Sequence, residues 1–316
     1  MKMSIGSLLF AGLVLAMPPL AAAGKFPAPV YVTMKGSGTV EAFPAARSWP
    51  GGPNMLYDAL TPDGRTLLAT SPSEGKVYLF DTASGRITAR IAVGKAPKGV
   101  KVTPDGRFAY VSNQGSANIS VIDLKQRRLV DNIAVESEPH NVRFTTRGDR
   151  AYVTLQGGAG LGVIDTATRK EIRVIPLPGL NGPHNLDLSP DERTAYVRDF
   201  VRRVAVVDLV QGKVRKLIEV GAGHGGIDVA PDGRAVATAS IASDFVSIID
   251  PRTLKVRSIQ VGPAPHGIRF SRDGHWLYVT VTGANQVVVI DTGTWRVARR
   301  IAVGRFPFWV AVPGNP

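Results

Sequence analysis

Short apolar runs alternate with polar turns along most of the chain, and the alternation has a fixed grammar. An apolar strand runs into a turn such as Thr61-Pro62-Asp63-Gly64, Thr103-Pro104-Asp105-Gly106, Ala230-Pro231-Asp232-Gly233 or Ser271-Arg272-Asp273-Gly274. Proline presets the first turn position, and Asp-Gly adds a side-chain hydrogen bond and a permissive backbone, so a hairpin is predicted at each. A second strand follows in which aromatic and β-branched residues alternate, as in Tyr152-Val153-Thr154, Tyr196-Val197-Arg198 and Tyr278-Val279-Thr280. The third strand is apolar and ends in aspartate: Val77 to Asp81, Ile119 to Asp123, Val287 to Asp291. A fourth, more polar strand closes the unit, for example Arg86 to Val93, and its charge marks an exposed edge guarded against further pairing.

Four short antiparallel strands in roughly forty residues are the pattern of a propeller blade. The units begin near Pro53, Pro97, Pro139, Pro183, Gly223, Pro265 and Pro307. The last has room for one strand only, Phe308 to Val312. Val30 to Thr33 reads as a second strand and Gly38 to Phe43 as a third, so the C-terminal strand is expected to join the N-terminal ones and close a ring of seven blades. Ala45 to Gly52 reads as an irregular lead into the first complete blade, with Trp49 as an anchor. The expected fold is all-β: a signal peptide over residues 1–23, then a seven-bladed propeller over 24–316.

Tyr31-Val32-Thr33, Tyr152-Val153-Thr154 and Tyr278-Val279-Thr280, with the Pro-Asp-Gly turns and Val-Ile-Asp-Thr endings, resemble the YVTN-type β-propeller repeats. The resemblance covers nearly all of residues 24–316 and speaks to fold rather than function. Propellers of this kind include the haem-binding propeller of dissimilatory nitrite reductases, the copper-cluster propeller of nitrous oxide reductase, the large subunit of methylamine dehydrogenase, and lactonases.

The N-terminus changes the picture of where the chain works. Lys2, the apolar run Ile5 to Met17 and the small residues Ala21-Ala22-Ala23 read as a secretory signal, which implies a periplasmic protein with no transmembrane span after cleavage. The chain has no cysteine, which removes disulfides, thiolate chemistry and lipid attachment through that residue. The net charge of +13 favours acidic partners, but the cations are scattered one or two per strand rather than clustered as a nucleic-acid binder requires. The expected partner is a small molecule or a periplasmic protein, bound by a monomer.

Candidate chemistry sits in one recurring step: Pro139-His140, Pro183-His184, Gly223-His224 and Pro265-His266, where four of the five histidines lie. The first strand of a propeller blade is innermost, so these positions converge on the axis. Counting back from the turns puts Leu56, Lys98, His140, His184, Gly225, His266 and Phe308 in one slot, with His224 one residue early. The next slot carries Tyr57 and Trp309, and two positions further on come Lys101, Arg143, Asp187, Asp228 and Arg269. A mouth with a basic half and an aromatic half is expected, above a belt of ion pairs. Asp58 replaces the aliphatic residue of the other repeats and needs a cation, for which Lys98 is the expected partner. The glycine-rich run Gly157 to Gly160 is expected to be an inter-strand loop.

Three kinds of chemistry fit this lining. The first is a binding protein whose mouth holds a ligand, cofactor or partner through Lys98, His140, His184, His266, Asp58, Tyr57, Arg143, Asp187, Asp228, Arg269 and Trp309. In the second, His140, His184, His224 and His266 hold copper or zinc, with Asp187 or Asp228 behind them. The resemblance also implies a haem variant of it, with a histidine as axial ligand and Lys98, Arg143 and Arg269 meeting carboxylates. In the third, a histidine acts as general base in lactonase or lyase work, although no nucleophile motif accompanies it.

Overall fold

The computed structural model describes residues 29–158 and 160–315. The expected signal segment, residues 1–23, lies outside them. Twenty-eight strands form seven four-stranded antiparallel sheets among the described residues. Blade 1 starts at Asp58–Leu60, blade 2 at Pro97–Val102, blade 3 at Pro139–Phe144 and blade 4 at Pro183–Leu188. Blade 5 starts at Ile227–Val229 and blade 6 at Pro265–Phe270. Blade 7 takes its inner strand, Pro307–Ala311, from the C-terminus and its other three, Val30–Met34, Thr39–Phe43 and Arg47–Pro50, from the N-terminus.

The ring closes where Tyr31 pairs with Ala311, Val32 with Val310 and Thr33 with Trp309. One expectation is corrected here. Residues 45–52 are not merely a lead into blade 1, because Arg47–Pro50 is the outer strand of blade 7, paired with Thr39–Phe43. Trp49 does serve as an anchor, packed 5.3 Å from Tyr31 and 6.0 Å from Phe80 across the seam between blades 7 and 1.

The turns do what their residues dictate. Asp63 Oδ1 accepts from Thr61 Oγ1 at 2.6 Å and from the Arg65 N–H at 3.0 Å, while Gly64 supplies a φ of 69°. In blades 1 to 6 the aspartate at the end of the third strand holds the second turn, as when Asp291 Oδ1 accepts the Thr294 N–H at 2.7 Å. The threonine after such an aspartate ties the two turns together: Thr82, Thr166 and Thr292 donate to the carbonyls of Gly64, Gly148 and Gly274.

The core is divided among the blade interfaces. Tyr110, Ile119 and Val121 of blade 2 pack on Val142, Val153 and Ile164 of blade 3, and an equivalent apolar cluster fills each of the other interfaces. The outermost strands keep about one fully buried residue each, such as Ile133 and Ile175, and are otherwise exposed or half-buried. Stability therefore rests on contacts between neighbouring blades, and each inner strand is held from both sides.

Candidate functional site

The inner strands deliver their first residues to one mouth of the axis and their last to the other. At the first mouth six rings form a closed circuit. His140 lies 3.9 Å from His184, which lies 4.7 Å from His224, itself 5.3 Å from His266. His266 lies 4.0 Å from Phe308, and Tyr57 completes the loop edge-on, 5.5 Å from Phe308 and 5.6 Å from His140. Blades 3 to 7 and blade 1 each give one ring, and blade 2 gives Lys98 instead. The circuit packs the axis shut at this level.

Hydrogen bonds running around the ring fix the imidazoles. The Thr154 hydroxyl donates to the His184 carbonyl at 2.8 Å, and His140 Nδ1 lies 2.9 Å from the same oxygen. Thr280 and His266 Nδ1 converge on the Phe308 carbonyl in the same way, at 3.0 and 3.1 Å. A carbonyl only accepts, so both Nδ1 atoms carry hydrogen and both Nε2 atoms are left with a lone pair. Asn185 Nδ2 donates to His184 Nδ1 at 2.7 Å and to the Gly225 carbonyl at 2.8 Å, which gives His184 the opposite tautomer, with its N–H on Nε2.

All four imidazoles are held neutral. Burial pushes His140 and His184 well below the usual imidazole range, aided by Lys98 in the first case and by the neighbouring imidazoles in the second. Burial and the charge of Arg198 lower His224 to about 4, and burial with His224 lowers His266 to about 3.

Above the circuit lies a funnel of about 330 Å³, walled by Lys35, Leu56, Lys98, Gln114, Gln156 and Phe200. None of its lining residues is acidic. Burial lowers the Lys98 ammonium, with the charge of Lys35 adding to the effect. Lys35 Nζ sits 5.1 Å above the Phe306 ring and 5.8 Å from Phe308. Phe200 stacks on His224, with centroids 4.4 Å apart and planes 14° from parallel.

The lower part of the axis is charged. Arg143 Nε donates to Asp187 Oδ1 at 2.6 Å and its Nη2 to Asp228 Oδ1 at 3.2 Å, while Arg269 Nη1 meets Asp228 at 2.5 Å. Burial alone would raise Asp187, but the charge and hydrogen bond of Arg143 outweigh it and bring it below the usual carboxylate range. Lys101 is buried in this belt and pushed well below the ordinary amine range by burial, then by the charges of Arg143 and Arg269. The belt faces a cavity of about 770 Å³ at the turn-side mouth, which Lys101, Arg143 and Asp187 line. Asn315 reaches over it and donates to Asp228 Oδ2 and to the Phe270 carbonyl, both at 3.0 Å.

The expected site residues therefore occupy separate levels. Lys98, Tyr57, His140 and His184 line the funnel with His224. His266 and Trp309 are buried beneath it. Arg143, Asp187, Asp228 and Arg269 form the belt, and Asp58 is buried where the charges of Arg269 and Lys101 reach it.

The expected pairing of Asp58 with Lys98 is corrected: Lys98 walls the funnel, and the cations acting on buried Asp58 are Arg269 and Lys101. No hydrogen bond of good geometry reaches either carboxyl oxygen of Asp58, and burial outweighs the two cations and the nearby Thr33 backbone N–H to raise its pKa well above the carboxylate range. The division of the mouth into a basic and an aromatic half is corrected too. Phe200 puts an aromatic wall on the blade 4 side, and Lys35 puts a cation on the blade 7 side.

Both of these residues escaped the slot alignment because they sit on loops between second and third strands. Among the described residues no group of three or more histidine, aspartate or glutamate side chains is arranged to hold a metal ion.

Comparisons with known proteins agree on the fold. The model of the YNCE-like β-propeller family matches residues 203–313. Hydrazine synthase of Kuenenia stuttgartiensis superposes with a TM-score of 0.75 at 24% identity, over 82% of this chain and 90% of that one. The dihydro-haem d1 dehydrogenase NirN, solved in complex with DHE, gives 0.70 at 18% identity over 95% and 78%. A functionally unknown protein from Desulfotomaculum acetoxidans DSM 771 gives 0.77 at 13% identity over 92% and 100%. No curated protein sequence matches the chain. The chain is a seven-bladed β-propeller, similar to YNCE-like propellers in its C-terminal blades and to the NirN propeller in overall fold.

Proposed function

We propose that this protein is an exported binding protein whose funnel holds a small organic anion. One observation carries the reading: two ammonium groups, Lys35 and Lys98, converge on an acid-free cavity whose floor is a circuit of neutral imidazoles. An anion there gains charge-assisted hydrogen bonds from the lysines and meets no buried like charge. The neutral floor adds a polar N–H from His184 and apolar ring area without a competing cation.

Size narrows the ligand. About 330 Å³ is at the small end of ligand sites, so the funnel does not enclose a macrocycle of haem size. The donor set points the same way, because His140 and His266 spend Nδ1 on backbone carbonyls and His266 Nε2 is buried without a partner. The NirN structure, solved with DHE, supports the general idea that a propeller of this shape carries a ligand, and residues 1–23 support export.

The test is a thermal-shift and calorimetric screen of the purified protein against small carboxylates at low salt. Binding is expected, and Lys35→Ala or Lys98→Ala should each weaken it roughly ten- to hundredfold, the value of one charge-assisted hydrogen bond. Absence of any carboxylate-induced stabilisation, or binding indifferent to both lysines, overturns the reading.

A further inference from the structure

The strands of blade 4 break the repeat at one position. Thr33, Thr70, Thr154 and Thr280 occupy equivalent places on the second strands of their blades, and blade 4 has Arg198 there. Its side chain is fully buried and ion-paired with the equally buried Asp199 at 3.0 Å. A buried ion pair of this kind is expensive to desolvate, so its retention calls for a local reason. The hydrogen bonds supply one.

Arg198 Nη2 donates to the Gly221 carbonyl at 2.7 Å and also to the Gly223 carbonyl, and Nη1 donates to the Arg203 carbonyl at 3.1 Å. Asp199 Oδ1 accepts the N–H groups of Val201, Arg202 and Arg203 at 3.0, 2.8 and 2.7 Å. The pair thus pins two loops at once: the one carrying Phe200 and the one carrying His224. Gly223 fits this arrangement and proline does not. Its φ is +80°, outside the range proline adopts, and a Cβ there would come within 2.7 Å of the Ala242 nitrogen. The His224 displacement seen in the sequence is the result, and it brings that imidazole face to face with Phe200 at 4.4 Å.

The wall so built has its own chemistry. Phe200 is 44% exposed although it is a large aromatic residue, and it lines the funnel with His224. His224 makes no ring hydrogen bond to another described residue, unlike His140, His184 and His266. The funnel therefore offers a flat π surface together with the two ammonium groups, whose charges both act on His224.

We infer that the Arg198–Asp199 pair is a positioning device that holds Phe200 and His224 as a flat wall, and that this wall selects planar, conjugated carboxylates over saturated ones. The inference rests on the anion-binding reading above and deepens it. Arg198 does not touch the ligand; it acts through the backbone of the two loops.

The experiment compares benzoate with cyclohexanecarboxylate, which share charge and approximate size but differ in flatness. Calorimetry on the wild type should show benzoate binding about tenfold tighter, the scale of one good aromatic contact. Arg198→Thr, which installs the residue that blades 1, 3, 6 and 7 carry at this position, should bring the ratio close to one while cyclohexanecarboxylate affinity changes little. Phe200→Leu, at an exposed position, should also bring the ratio close to one and keeps the test open if Arg198→Thr does not fold. A ligand-free readout stands beside these: the His224 ring protons should lose their ring-current shift from Phe200 in folded Arg198→Thr. A wild type that binds both acids equally through Lys98, or a folded Arg198→Thr that keeps the preference and the His224 shift, overturns the inference and leaves the anion site standing. Failure of both acids to bind overturns the anion site and the ligand preference together, while the His224 shift still decides the positioning role.

Discussion

Asp228 accepts the backbone N–H of Phe270, one blade further round the ring, at 2.7 Å. Asp187 does the same for Val229 at the same distance. Each of these carboxylates thus uses one oxygen to pin the next blade and the other to hold an arginine, Arg269 and Arg143 respectively. Replacing Asp228 with alanine strands buried Arg269 and removes one of the two carboxylates that Arg143 meets. Breaking one partner of a buried pair costs about 3–5 kcal/mol. Asp228→Ala is expected to lower stability by that order in urea unfolding, and Asp228→Asn by less, because its carboxamide oxygen still accepts from Phe270.

Asp58 gives the opposite sign. It is buried with no hydrogen bond of good geometry to either carboxyl oxygen, at a position where the other blades carry Val100, Val142, Leu186, Ile227, Ile268 and Val310. Burial raises its folded pKa, so between the ordinary carboxylate value near 3.9 and that raised value the folded state binds the extra proton. Its contribution is full below the unfolded pKa and is lost as pH rises through this window. Asp58→Val is therefore expected to stabilise the protein by about 1–3 kcal/mol at neutral pH, the scale of an unsatisfied buried polar group. The gain should shrink on acidification toward pH 4. Chemical denaturation of both proteins at pH 4, 5.5 and 7 checks the trend, and a gain independent of pH would contradict it.

The ring was legible in the sequence because each blade repeats a hairpin whose turn chemistry is local: Pro-Asp-Gly, then aspartate with threonine. The closing strand was legible from the same repeat, since Phe308 to Val312 reads as a first strand and Val30 to Thr33 and Gly38 to Phe43 read as the second and third strands of the same unit. What escaped were features that depend on neighbours distant in sequence. Arg47–Pro50 alternates too briefly, between prolines and glycines, to read as a strand, and only the open edge of Thr39–Phe43 makes it one. Lys35 and Phe200 come to the funnel from loops that vary from blade to blade. The Asp58 partner was misread because adjacency in the ring says nothing about height along the axis: Lys98 and Lys101 are three residues apart and face opposite mouths.

Closure by one strand has a measurable consequence. Pro307–Ala311 is buried along its whole length and supplies Phe308 and Trp309 to one apolar cluster and Val310 to another. Burying each such side chain contributes about 1.5–3 kcal/mol, and the three together approach the whole stability of an ordinary domain, about 5–15 kcal/mol. A chain ending at Phe306 is expected to lose its cooperative urea transition and its near-ultraviolet aromatic signal, while a chain lacking only the last residue keeps both. Retention of a cooperative transition by the shorter chain would mean that six blades and a three-stranded remnant suffice.

The histidine circuit sets the acid limit of the fold. Burial lowers the folded pKa of all four imidazoles, to about 3 for His266 and about 4 for His224, whereas an unfolded histidine titrates near 6.5. Between those values the unfolded chain takes up protons that the folded ring refuses. Stability is therefore full above pH 6.5 and falls as pH drops through the window, with a slope of about 1.4 kcal/mol per pH unit for each histidine. His266→Leu isolates one of them. Its Nδ1 partner, the Phe308 carbonyl, keeps the Thr280 hydroxyl at 3.0 Å, and its unpartnered Nε2 is removed from the interior. The variant is expected to fold and to show a slope shallower by about 1.4 kcal/mol per unit between pH 6 and 4.5, measured from urea titrations at fixed pH. An unchanged slope would mean that His266 already carries its proton in the folded ring, and that the floor of the funnel is cationic rather than neutral.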